Sequence, residues 1–405
     1  MKKTFVLFAL LSIMLASVPA AMATNGTNLI GIGPISRAMG GAGVAAPQDT
    51  LSAIFANPAA MCFGPYCPGS SVDFAGTWFN PNVDGKMVNN GLPSPPFPGS
   101  GQGDSQMNAF VVPAIGVTTP INEKLRFGIG MYGQSGMGTD YKGTQMPAPV
   151  YTQLQVMKFA PNLAWLITPN FSVGASLEVV WQNLDLGQGA AHDYALGLQL
   201  GVLYNLGKFN IGASYTTPES VDHKNVGDFN QDGTLDSLTL ESPQTFKGGV
   251  SYEPNQSWLF ELYTRWYGWG SADGYKDFGW DDQWVFGFGG QWRPADKWTI
   301  RLGYNYGETP IKNNTGFNPA GNTNVQGVPV NNVGYETLRI IGFPAIAEQH
   351  FTAGLGFNIT QNWLLNLSFM YSPEESFSEA SAGDAYLLES NMSQWSSSFG
   401  LTWFF

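Results

Sequence analysis

Oxygen-bearing side chains stand at every second position of DFNQDGTLDS, residues 228–237: Asp228, Asn230, Asp232, Thr234 and Asp236, with Gly233 among them. Ligands at that spacing converge on a hard cation such as Ca2+, and the glycine permits the sharp turn. The bidentate Glu that usually closes such a loop is missing: Thr239 stands twelfth, and Glu241 comes two residues late. A calcium site and an acidic, solvated turn both remain open readings.

The other chemistry-bearing residues are few. Cys62 and Cys67, the only two cysteines, bracket CFGPYC, where Gly64-Pro65 can turn the chain back. In an exported chain this predicts a disulfide; the alternative is two buried thiols. A zinc site would need two further ligands, and the three scattered histidines, His192, His223 and His350, do not supply them. No G-x-S-x-G elbow accompanies those histidines, so a hydrolase finds little support and each histidine reads as structural. No nucleotide site is visible and no cofactor is required.

The elements that must carry these residues are legible from composition. Charged residues are 12% of the 405-residue chain, roughly half the usual share, while aromatics reach 14% and mean hydropathy is only −0.08. Such a mixture suits apolar residues hidden among alternating polar ones. Residues 1–23 read as a secretory signal: Lys2 and Lys3, an apolar run from Phe5 to Val18, then Ala21-Met22-Ala23. Without those two lysines, the 18 basic residues fall to 16 against 30 acidic, a net charge of −14. That acidity argues against nucleic acid.

From Ser70 onward the pattern has period two. In NFSVGASLEVVW, Phe171, Val173, Ala175, Leu177, Val179 and Trp181 alternate with Ser172, Gly174, Ser176 and Glu178; only Val180 is out of phase. Successive strand side chains point to opposite faces, so each segment has an oily side and a wet side. About fourteen such strands are predicted, centred near Phe74, Val112, Ile129, Phe159, Ala175, Leu198, Ala213, Val250, Leu262, Phe288, Leu302, Leu355, Leu367 and Leu401.

Short turns (TPINEK, TPN, NLGK, EPNQ, RPADK, TQN) alternate with longer polar loops, chiefly residues 80–106, 136–153, 218–241, 268–281, 308–347 and 372–393. An outer-membrane barrel is built that way, with tight turns at one rim and long loops at the other. Trp165, Trp181, Trp258, Trp298 and Trp363 near strand ends fit interfacial girdles. The last strand, SSSFGLTWFF, ends in a terminal Phe and resembles the final strand of bacterial outer-membrane proteins. The fold expected is therefore all-β: a closed transmembrane antiparallel barrel over residues 70–405, its oily face to lipid. Strand one near Phe74 should pair with the last near Leu401, because bare edges cannot survive in hydrocarbon.

Residues 24–69 lack alternation and are placed to fill the lumen. GIGPISRAMGGAGVAAPQDTLSAIFANPAAM, residues 31–61, resembles the N-terminal hatch of the FadL/TodX family of outer-membrane transporters for long-chain fatty acids and hydrocarbons. The matching pieces are Ser36-Arg37-Ala38, Gly40-Gly41 with Gly43, Asp49, and Asn57-Pro58-Ala59. FVVPAIGVTTPINEKLRFGIGMYGQSGMGTDY is similar to the family's second and third strands, and the sixth short turn and final strand also fall where the family has them, so the resemblance spans essentially the whole mature chain. It implies a hatch containing Arg37, Asp49, Asn57, Pro58 and Ala59, and an inward kink in strand three that opens the wall. Gly133, Gly136 and Gly138 stand where that kink would fall; equally, they begin an extracellular loop.

The function so implied is passive import of hydrophobic small molecules: capture at extracellular loops, an internal apolar pocket, and lateral exit as the hatch rearranges. The expected surroundings are outer-membrane lipid and lipopolysaccharide around a monomer that is not an enzyme. A ligand carboxylate would meet a lumenal cation, with Arg126, Arg265 and Arg301 as candidates and Lys247 a weaker one. The bland reading of each is a lumen salt bridge, such as Arg265 with Glu261. A general porin and an outer-membrane lipid hydrolase are the rival readings.

Overall fold

A computed structural model describes residues 25–64, 67 and 69–405; the secretory signal expected over residues 1–23 lies outside them. Fourteen antiparallel strands close into one barrel. In chain order they begin with β1 Ser71–Asn89, β2 Phe110–Pro120, β3 Leu125–Asp140, β4 Tyr151–Thr168 and β5 Phe171–Asp185. Next come β6 Ala190–Asn205, β7 Phe209–Thr216, β8 Thr245–Asn255, β9 Trp258–Tyr267 and β10 Gln283–Ala295. β11 Trp298–Gly307, β12 Gln349–Asn358, β13 Trp363–Ala380 and β14 Tyr386–Phe404 complete the wall. Every predicted strand centre falls within one of them. Closure is by β14 on β1, from Ser71 opposite Phe404 to Asn89 opposite Tyr386, and Phe74 faces Leu401.

The wet faces point inward. On β5, Ser172, Ser176, Glu178 and Gln182 are buried in the lumen while Leu177 is 44% exposed on the outside. Val180, out of phase in residue type, is in phase in space: it points inward and joins apolar packing in the extracellular half. Trp165, Trp258, Trp298 and Trp403 are exposed at the short-turn rim, and Trp78, Trp284, Tyr371 and Trp395 at the other. Such belts sit where lipid headgroups meet the acyl chains.

Four strands run taller than a bilayer needs. β1, β4, β13 and β14 have 19, 18, 18 and 19 residues, on the order of 60 Å of chain, twice a bilayer core of about 30 Å. Much of the expected loops 80–106 and 372–393 is therefore strand. Above the aromatic belt there is no lipid to demand an oily face, and Glu374, Ser376 and Ser378 point outward there. The period-two signal fades while the ladder continues. Other long connections fold into hairpins, Glu219–Gly227 with Asp236–Ser242 and Asn322–Val325 with Val328–Asn331.

Residues 25–61 are buried throughout within the barrel. They form α1 (Gly33–Ala38), α2 (Thr50–Ala56) and a 3-10 turn, Pro58–Cys62. Asp49 caps α2, its Oδ1 accepting from the Ser52 N–H at 2.9 Å. The wall makes room for this segment with glycine. A Cβ on Gly174, Gly201, Gly212, Gly289, Gly303, Gly354 or Gly400 would collide with atoms of residues 34–59. Gly40, at φ +64°, and Gly303 approach so closely that a side chain on either would overlap the other's strand or turn.

This fit yields an expectation. Gly303→Val should leave a heat-modifiable barrel, since the ladder is untouched, but unseat the plug at an overpacking cost of about 1–3 kcal/mol or more. Planar-bilayer recording should then show steady conductance absent from the unmodified protein. Equal conductance in the two would show that the glycines do not seat the plug.

Candidate functional site

Three successive inward residues of β9 grip the segment by its backbone. Glu261 accepts four N–H groups: Gly43 at 3.0 Å, Val44 at 2.7 Å and Ala45 at 3.1 Å on Oε1, and Ala46 at 3.1 Å on Oε2. Tyr263 donates to the Gly40 carbonyl. Arg265 donates to the carbonyls of Ile30, at 2.6 Å, and Gly41. The expected Arg265–Glu261 ion pair is thus replaced by separate bonds from each to the plug. Lys247 on β8 holds the Phe55 carbonyl at 2.7 Å and lies over the Phe55 ring.

The resemblance residues sit in the same framework. Arg37 donates to Ser396 Oγ on β14 at 2.6 Å. Asn57 donates to Val44 O and to Val202 O on β6 and accepts from Ala59 N, while Pro58 opens the 3-10 turn. Asp73 on β1 accepts from the Thr50 and Leu51 N–H groups beside the Asp49 cap.

Beside the plug, the wall loses a ladder. β2 and β3 pair only as far as Ala114 opposite Tyr132, although β3 continues to Asp140. A register shift against β4 falls between Gly133 and Ser135. The glycines therefore do not begin a loop: Gly133 flanks the shift, and Gly136 and Gly138 lie within the continuing strand. Residues 25–29 take up the edge that β2 leaves. Leu29 N donates to Gln134 O at 3.0 Å and Gly136 N to Thr27 O at 3.1 Å. Ser135 Oγ donates to Thr27 at both O and Oγ1.

A void lies on either side of this N-terminal strip. Toward the loops, Leu154, Leu184, Leu238, Leu240, Tyr275, Phe278, Trp280, Leu338, Arg339 and Phe343 surround an apolar pocket floored by Thr27. Its free space is about 40 Å³, against about 150 Å³ for a cavity that holds benzene. A ligand must displace side chains to enter. Behind Asn28 is a polar chamber of about 20 Å³ lined by Tyr132, Gln134, Lys158, Glu178, Gln199 and Lys247. In it Lys158 meets Glu178 at 3.4 Å and Glu219 at 2.7 Å.

Three pocket residues come from one unusual turn. α3 (Asn332–Glu336) runs into a π-helical turn, Thr337–Gly342, closed by Phe343 N on Leu338 O at 2.9 Å. Such turns are rare and concentrate at functional sites. This one points Leu338 and Arg339 at the pocket and delivers Phe343 to it. Arg339 Nη1 contacts Glu336 and Glu379, the latter at 3.3 Å; Nε and Nη2 hold Phe278 O and Lys312 O. Burial pushes the Glu379 carboxyl up to about 7; Arg339 opposes that, and neighbouring Glu336 adds to it. Glu336 and Arg339 have helical i, i+3 spacing, a signal available in the sequence; Glu379, forty residues on, has none.

The remaining predicted residues lie elsewhere. Arg301 and Arg126 are at the short-turn end, remote from the loops. Arg301 holds Gln291 at 2.6 Å and Asn366 at 2.9 Å, and Arg126 holds Gly69 O at 2.7 Å. Cys62 and Cys67 are free thiols, which corrects the expected disulfide. Cys62 ends the 3-10 turn, and the Cys67 sulfur turns back to donate to Met61 O at 3.1 Å. Burial, with Cys67 nearby, pushes the Cys62 thiol up to about 12, against the pull of Arg126.

In the acidic turn, Asp228 accepts from Asp232 N and Gly233 N, Asp232 from Thr234, and Asp236 from Phe229 N. Asn230 likewise accepts from Asp232 N. Among the described residues no group of three or more His, Cys, Asp or Glu is placed to hold a metal. His223 bridges Ala191 O and Gln182, His350 bridges Asn305 and Gln394, and His192 packs on Trp181.

A family model described as "Outer membrane protein transport protein (OMPP1/FadL/TodX)" matches residues 12–215. No curated protein matches the chain. Among solved structures, the P. putida toluene transporter TodX superposes with a TM-score of 0.66 at 17% identity, covering 93% of this chain and 99% of that one. The Ralstonia pickettii toluene transporter TbuX gives 0.63 at 16%, over 93% and 99%. A Pseudomonas aeruginosa FadL homologue gives 0.65 at 14%, over 93% and 98%. At such identities the likeness is one of fold.

The β9 grip is testable. Glu261→Ala strands four buried N–H groups and should weaken plug docking by at least about 3 kcal/mol. Glu261→Gln, which keeps one acceptor oxygen, should cost less. Limited proteolysis of the intact protein should cut residues 30–46 faster in the order wild type, Gln, Ala; unchanged rates would contradict the grip.

Proposed function

This chain belongs to the outer membrane protein transport protein (OMPP1/FadL/TodX) family, outer-membrane channels for hydrophobic compounds, and from that membership we propose a route. A hydrophobic molecule enters among the extracellular loops, displaces side chains in the apolar pocket, and passes residues 25–29 into the chamber behind Asn28. It leaves sideways between β2 and β3 into the bilayer. The observation that carries this reading is the coincidence of three features. The lumen is plugged, an apolar pocket lies against the outer side of the strip formed by residues 25–29, and the ladder beside that strip is interrupted.

Energetically the route exchanges one greasy environment for another. Apolar area leaving water contributes about 25 cal/mol per Å² at capture, and little is lost on release to acyl chains. No coupled energy source is then needed. The moving part is the strip rather than the body of the plug. Its main ties to β3 are a few backbone bonds and the Ser135–Thr27 contacts, whereas residues 30–61 are gripped by β9 and seated against glycine.

The test is a reversible lock. In a Cys62→Ser/Cys67→Ser background, Thr27→Cys with Ser135→Cys should cross-link strip to strand. Uptake of radiolabelled toluene and fatty acid by whole cells should then fall at least about tenfold and recover with reductant. Full uptake in the oxidised form would sink the route; no gene-dependent uptake of any hydrophobic compound would sink the function.

A further inference from the structure

We propose that the apolar pocket rejects anions, and that Arg339 clamped between Glu336 and Glu379 is what sets this, so that the compound admitted is uncharged. This rests on the reading that the pocket takes the transported compound. Arg339 is the only charged residue among those lining the pocket. Alone it would offer a carboxylate a partner in a dry place, where such attraction is strong. It is not alone. Both carboxylates lie against Nη1, and the other nitrogens are held by the Phe278 and Lys312 carbonyls.

The two acids are themselves fixed: Asn314 donates to Glu379 Oε1 through its N–H at 2.9 Å and to Glu336 through its amide. At pH 8, above the range in which Glu379 holds its proton, one positive and two negative charges leave the wall with no surplus cation. An entering carboxylate would lose its water, find both Nη1 hydrogens and the Nε hydrogen of Arg339 already bonded and Nη2 held by Lys312 O, and face like charge. An uncharged apolar molecule meets none of these costs, and the faces of Tyr275, Phe278, Trp280 and Phe343 offer it contact. Lys158 and Lys247 lie beyond Asn28, in the second chamber, and reach a ligand only after it has passed the pocket. There Lys158 is paired with Glu178 and Glu219, and Lys247 is bonded to Phe55 O.

The experiment compares molecules alike in chain and different in charge. With the intact protein in lipid nanodiscs at pH 8, N-phenyl-1-naphthylamine fluorescence is displaced by 1-dodecanol or by dodecanoate, each dosed as mole fraction in the bilayer. Dodecanol should act at about tenfold lower dose or less. In Glu336→Gln/Glu379→Gln the Arg339 charge is no longer offset, and dodecanoate should gain at least about tenfold relative to dodecanol. Equal potency of the two in the wild-type protein overturns the proposal, however the variant folds. So does a variant that keeps its barrel and loops yet leaves the ratio unmoved. Displacement by neither compound overturns instead the hydrophobic-import reading beneath it.

Discussion

A peptide group in hydrocarbon has no water to bond, and each one left bare costs several kcal/mol. That single constraint organises this molecule. It forces the sheet to close, brings Phe404 beside Ser71, and turns the oily residues outward and the polar ones in. The interior is then a wide polar space that the wall alone cannot fill. The N-terminal segment fills it, and its own backbone must be satisfied too. Glu261, Tyr263, Arg265, Lys247 and Asp73 do this from the wall. The place where the rule is relaxed, β3 beyond Tyr132, is also where residues 25–29 supply the missing partners.

The outer half obeys a different balance. Above the membrane the loops fold back over the lumen and pack an apolar core from Val83, Met87, Tyr141, Leu154, Trp269, Trp280 and Ile341 among others. This part resembles the interior of a soluble protein, yet it is assembled from the upper ends of the barrel strands and the connections between them. A small void remains in it at the pocket, beside the π-helical turn. On the proposed route, capture from the aqueous side and release toward lipid fall to two regions of different character, with only a five-residue strip between them.

The sequence disclosed whatever burial imprints on residue type. Alternation marks most of the fourteen strands, faintly around Phe159 and in WLFELYTRWY, which is apolar on both faces apart from Glu261 and Arg265, and closure demands that Phe74 and Leu401 be partners. Val180 broke the pattern only in kind, being an apolar residue facing an apolar part of the lumen. What escaped was contact with backbone. Glu261 and Arg265 suggested a pair with each other, being four apart on one face, but their true partners are amides and carbonyls of residues 30–46. Any residue has those groups, so nothing in the sequence marks them. The upper halves of β13 and β14 escaped for a related reason: with water on the outside, Glu374 and Ser376 carry no period. An oxidising compartment favours pairing of Cys62 with Cys67, while the turn at Met61 sets their geometry as free thiols.

The glycine-lined seat bears on how such proteins diversify. Cork and wall meet at a wall glycine on seven of the fourteen strands, so neither can be exchanged alone. A chimera carrying a relative's amino-terminal portion would inherit a different relief, and bulk gained at Ala38 or Met39 would press on β10 to β12. Lineages are therefore freer to vary in the loops than at this internal joint. Divergence in what is carried can proceed while the joint stays as it is.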